Sequence, residues 1–132
     1  MPPKTLAREA GFIIEKDRNN DAFTLVDLEE GNKVKTFSPE NYDALTLQTF
    51  LRKLYQVFEV IPDIRVDFET IRDEVVKEIY PHGEVRYSLI QTPSLYYIYR
   101  ETESGGLVMV GTGMNYRHAM VEWTSIALYE SP

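Results

Sequence analysis

The chain has 132 residues and no cysteine, a length that fits one ordinary domain and a composition that excludes disulfides, thiolate zinc sites and cysteine nucleophiles. Its 43% hydrophobic and 27% charged residues exclude a disordered chain, and its apolar runs are too short to span a bilayer. With 14 Lys or Arg against 21 Asp or Glu the formal charge is −7, which handicaps phosphate binding, and no hydrophobic signal core follows Met1-Pro-Pro-Lys4, so a cytoplasmic protein is expected.

Thr5 to Ala10 could add a short leading helix, which would make the two halves similar in order. Phe12 to Lys16 and Ala22 to Leu28 are rich in β-branched and aromatic residues and flank the turn-forming cluster Asp17-Arg-Asn-Asn-Asp21, the signature of a hairpin. A second turn at Glu29 to Asn32 leads to Lys33-Val-Lys-Thr-Phe37, whose alternation completes a three-stranded meander. Ser38-Pro39 breaks it. From Thr46, a suitable N-cap, the residues Leu47, Phe50, Leu51, Leu54, Tyr55 and Phe58 recur at helical spacing.

Pro62 marks a junction. Beyond it Asp67 can cap a helix whose Phe68, Ile71, Val75 and Ile79 share a face, with Asp73 and Lys77 as an i, i+4 pair and Pro81-His82-Gly83 as the stop. Three strands follow at Val85 to Ile90, Leu95 to Glu101 and Leu107 to Val110, joined by turns at Thr92 to Ser94 and Glu103 to Gly106. Two glycines, Gly111 and Gly113, end the last strand, and Asn115 caps a largely apolar final helix whose surface should be mostly covered. The expectation is an α+β protein with a β-β-β-α sub-structure over 1–62 and an α-β-β-β-α sub-structure over 63–132, its helices on one face of an antiparallel sheet. Halves of this size are marginal alone, so the two are expected to form one compact unit.

The stretch Gly111-Thr-Gly113-Met-Asn115-Tyr-Arg117-His-Ala119, continued by Ala127 and Leu128, resembles the double-stranded RNA-binding domain, whose last helix opens on a pattern close to G-x-G-x-S-K-K-x-A-K. In this chain Asn115 replaces the capping serine, Arg117 fills one lysine position, and Tyr116 and Met120 fill the other two. The loop Gln91-Thr-Pro-Ser94 also lacks the family's histidine. The resemblance covers about 65 residues and implies the family's fold for the second half; RNA binding through Asn115, Arg117 and His118 would follow from it. That half is also the more acidic one, with five Lys or Arg from residue 67 onward against ten Asp or Glu.

Tyr87, Tyr96, Tyr97 and Tyr99, with Arg86 and Arg100, form the densest aromatic region. Alternation puts Tyr97 and Tyr99 with Leu95 on one face, and Tyr96 opposite with Ile98 and Arg100. About half of these rings should be core, and the rest offer a surface of the kind that binds proteins. The acidic residues Asp63, Asp67, Glu69, Asp73, Glu74 and Glu78 fit a solvated helix face, with no metal-loop motif among them. The only histidines are His82 and His118, and no catalytic motif accompanies either. These features point to a non-enzymatic protein without cofactor or metal, binding a protein partner, basic by charge complementarity, through Tyr87, Tyr96, Tyr97, Tyr99 and Arg100 or through the final helix. RNA binding is the alternative.

Overall fold

The computed structural model describes residues 3–16, 22–37, 44–61, 75–82 and 85–129, with side chains for 4–16, 22–37, 47–61 and 85–128. The elements are α1 (Pro3–Glu9), β1 (Phe12–Lys16), β2 (Phe23–Asp27), β3 (Lys33–Phe37), α2 (Ala44–Val60), β4 (Val75–His82), β5 (Val85–Gln91), β6 (Tyr96–Glu101), β7 (Leu107–Gly113) and α3 (Tyr116–Tyr129). The chain divides into two units, Met1–Ile61 and Pro62–Pro132, and the fold class is α+β.

In the first unit β1, β2 and β3 form the expected antiparallel meander. Pro3 opens α1, where its missing N–H is no loss, and Gly11 at φ 92° closes it in the left-handed conformation that turns the chain into β1. The β2–β3 turn is held by Asp27, whose carboxylate accepts the N–H of Glu29 at 2.9 Å, while its carbonyl accepts the N–H of Gly31, which sits at φ 72°. Helix α2 buries Leu47, Phe50, Leu51, Leu54 and Val57, and the Phe50 ring meets Phe37 of β3 edge-on at 5.0 Å. This helix begins at Ala44, so Thr46 lies inside it instead of capping it; Ala44 and Leu45 are strong helix formers and carry the element one half-turn further back. The expected turn at Asp17 to Asp21 and the break at Ser38-Pro39 lie outside the described residues.

In the second unit the order is β4-β5-β6-β7, all antiparallel. The helix expected from Asp67 through Ile79 is overturned over its carboxyl-terminal part: Val75 to His82 is a strand paired with β5. The run Val-Val-Lys-Glu-Ile-Tyr is dominated by β-branched and aromatic residues that fit a pleated sheet, and one i, i+4 pair is too weak to outweigh them. Pro81 and His82, expected to stop a helix, sit within β4, which among the described residues lies at the edge of its sheet, where a missing N–H is tolerated. Residues 67 to 74 lie outside the described residues.

Strand β7 is longer than its sequence signals indicated. Gly111 and Gly113 belong to it, opposite Ile98 and Tyr96. Between the Ile98–Gly111 and Tyr99–Met109 pairs Val110 is an extra residue, a bulge that resets the alternation of the strand. Asn115 caps α3 as expected: its Oδ1 accepts the His118 N–H at 3.0 Å and its carbonyl accepts the Ala119 N–H. Helix α3 packs on β7 and β6 and buries His118, Ala119, Met120, Val121, Trp123, Thr124 and Ile126. The buried Thr124 hydroxyl is satisfied by donating to the Met120 carbonyl at 2.7 Å.

Candidate functional site

The register of the second sheet sorts its tyrosines. Residues directly opposite each other share a face, so Tyr87 with Arg100, Leu89 with Ile98 and Gln91 with Tyr96 lie on one side, and Ser88 with Tyr99 and Ile90 with Tyr97 on the other. Tyr87 is 1% exposed and its ring meets Trp123 of α3 edge-on at 5.1 Å, which identifies the first side as the one that α3 covers. Tyr87 and Tyr96 are therefore core residues. Tyr97 and Tyr99 are half-buried on the outer side, their ring centroids 6.3 Å apart. Arg100 shares the register side of Tyr87 and is half-buried.

Strand β7 extends the outer face. Thr112 lies opposite Tyr97, Met109 opposite Tyr99 and Leu107 opposite Glu101, an alignment that depends on the Val110 bulge. Leu107, Val108 and Met109 are 54%, 51% and 53% exposed, an uncommon state for three successive large apolar residues. Val108 shares the register side of Tyr87 and is nonetheless exposed, so the covering by α3 ends before this part of the strand. Arg86 and Glu101 border the outer face as an ion pair with N···O 3.9 Å. The sequence marks Leu107 to Met109 only as part of a strand, since three apolar residues carry no signal of which one lacks a cover.

The residues expected for RNA binding lie at the other end of the sheet. Asn115 uses its side-chain oxygen in the helix cap, and His118 is buried. Arg117 is half-buried and borders a pocket of about 360 Å³ together with Gln91, Thr92, Ser94, Tyr96 and Asn115. Arg86 is engaged with Glu101 and stands opposite it on the outer side, Arg100 faces the other way, and Arg117 is at the far end of β6, so the three cations do not converge. His82 is a β4 residue paired with Val85, and Glu78 of the acidic run is likewise in that strand; Asp63 to Glu74 lie outside the described residues.

Of the two glycines, Gly113 has a packing explanation. A Cβ built on Gly113 would collide with the backbone N of Ala119 and stand 2.7 Å from its Cα, so the strand can meet the first turn of α3 only without a side chain there. A Cβ on Gly111 would have ordinary contacts, 3.6 Å from Ile98 Cδ1 and from Glu122 Oε2. No helix among the described residues is long and apolar enough to cross a membrane. Comparison with protein-family models, with curated proteins and with solved structures gives no match.

Proposed function

We propose that the chain is a non-enzymatic protein-binding module that acts through the outer face of its second sheet, with Tyr97, Tyr99, Leu107 and Met109 as the contact residues. The observation that carries this reading is the row of half-buried tyrosines running into the exposed apolar end of β7, while the opposite face is the one taken by α3. Aromatic rings beside exposed aliphatic side chains, with an ion pair at the border, have the composition of a binding patch with a polar rim. Of the five residues that sequence alone nominated, Tyr97 and Tyr99 carry the proposal and Tyr87 and Tyr96 support the sheet from beneath. The test is a native pull-down with the wild type and with Tyr99→Ala/Met109→Lys. A partner retained by the first and lost by the second is the expected result, and identical recovery by both overturns the reading.

A second reading, RNA binding by the second unit, is favoured by Arg117, which borders a pocket at the first turn of α3. It ranks lower because the three cations of this sheet region are dispersed. It predicts a duplex-RNA complex whose affinity falls steeply with salt and drops in Arg117→Ala; the absence of any shift at low salt eliminates it.

A further inference from the structure

We infer that two copies of this chain associate by pairing β7 with β7, antiparallel, about a twofold axis at Val108. This rests on the reading that the β7 side of the sheet is a binding surface, and names its occupant. Four observations converge on it. First, β7 is an edge strand: β6 pairs one side of it, and among the described residues no strand pairs the other. An edge presents a row of backbone donors and acceptors that only another extended segment can satisfy in register. Second, the charged side chains and prolines that ordinarily block such an edge are missing, since Ser104 to Tyr116 contains neither.

Third, the charge of the molecule singles out this place for self-association. The chain carries −7 overall, which opposes the approach of two copies, yet from Tyr87 to Tyr116 the only charged residues are Arg100, Glu101 and Glu103, and Glu101 is ion-paired with Arg86. A strand without charge has no means of selecting a basic or an acidic partner, and it meets its own copy without repulsion. Fourth, the exposed apolar run has the symmetry that a twofold axis needs. With Val108 opposite Val108 of the second copy, Leu107 lies opposite Met109 and Gly106 opposite Val110, so the pairing uses the three exposed residues and stops at the bulge on one side and at the Thr102–Gly106 turn on the other. The two sheets then become one eight-stranded sheet, and the outer-face rows containing Tyr99 and Met109 run on from one copy into the next.

The experiment is sedimentation over a concentration series with the wild type, Val108→Lys and Val108→Glu. The wild type is expected to form a dimer. Each variant places like charges directly opposite across the axis and is expected to weaken dimerisation about tenfold or more, and an equimolar mixture of the two is expected to restore a mixed dimer. The mixture distinguishes a lost interface from a damaged fold. A wild type that stays monomeric overturns self-pairing, as does a dimer indifferent to both charges. In either case the pull-down with Tyr99→Ala/Met109→Lys still decides separately whether the face binds another protein. Should the charged variants fail to fold, Val108→Cys in this cysteine-free chain decides: oxidation is expected to yield a disulfide-linked dimer, and exclusively monomeric product overturns the proposal.

Discussion

The Cα of Gly113 and the backbone of Ala119 approach so closely that the last residue of β7 has no room for a methyl group. Gly113→Ala is expected to force the strand away from α3 and to lower stability by about 3 kcal/mol, the upper end for overpacking because the obstacle is backbone. Gly111→Ala, with only van der Waals neighbours, is expected to stay within about 1 kcal/mol of wild type. Thermal unfolding separates the two by on the order of 10 °C.

The cap of α3 is testable by itself. Asn115 Oδ1 accepts the N–H of His118, one of the donors that the first turn cannot satisfy internally. Asn115→Ala is expected to lower stability by about 1 kcal/mol, while Asn115→Asp retains the acceptor, gains from the helix dipole and should be neutral or better. Urea denaturation of the three proteins checks the order. If Asn115→Ala proves as stable as wild type, the cap contributes nothing.

Tyrosines two faces apart should respond differently. Tyr87 fills the core against Trp123, so Tyr87→Ala is expected to cost about 3–5 kcal/mol and to change the emission of Trp123, the only tryptophan in the chain. Tyr97 on the outer face is half-buried, and Tyr97→Ala is expected to cost below about 1 kcal/mol and to leave that emission unchanged. Fluorescence-monitored denaturation reads both effects in one experiment.

Tyr55 of α2 donates its phenolic proton to Glu9 of α1 at 2.8 Å, and its pKa is pushed up from 10.0 to about 12, first by burial and then by the hydrogen bond and negative charge of Glu9. The folded state holds this proton more tightly than the unfolded one. Its contribution to stability is therefore complete below pH 10, declines between pH 10 and about 12, and is gone above that range. Tyr55→Phe has no such group, so the stability of wild type relative to Tyr55→Phe should fall across this window in denaturation measured at a series of alkaline pH values. A difference that stays constant with pH would refute the assignment.

Much of the first unit was legible because its signals are local and agree with one another. The strand Lys33 to Phe37 follows a clear turn and carries Val34, Thr36 and Phe37, and α2 repeats its apolar residues at helical spacing. At β4 the signals conflicted: Phe68, Ile71, Val75 and Ile79 fit a helical face, whereas the β-branched residues of Val75 to Tyr80 are better served by the pairing with β5, which periodicity alone does not reveal. The tyrosine alternation in β6 was readable, but which side α3 would cover was not, because that depends on Trp123 reaching Tyr87 across more than thirty residues of sequence. The exposed end of β7 had no signature at all. A Leu-Val-Met run reads the same whether it is buried or bare.

Val110 changes the phase of β7 partway along its length. The carboxyl-terminal portion, ending at Gly113, is shaped to the helix laid across it, whereas the amino-terminal portion pairs, among the described residues, with β6 alone. Were the strand regular, with Val110 itself opposite Tyr99, Met109 would fall opposite Arg100 on the side of Tyr87 and Val108 opposite Glu101 on the outer side. One inserted amino acid thus lets the same strand serve the interior at one end and the surroundings at the other, and the two ends can change independently of each other.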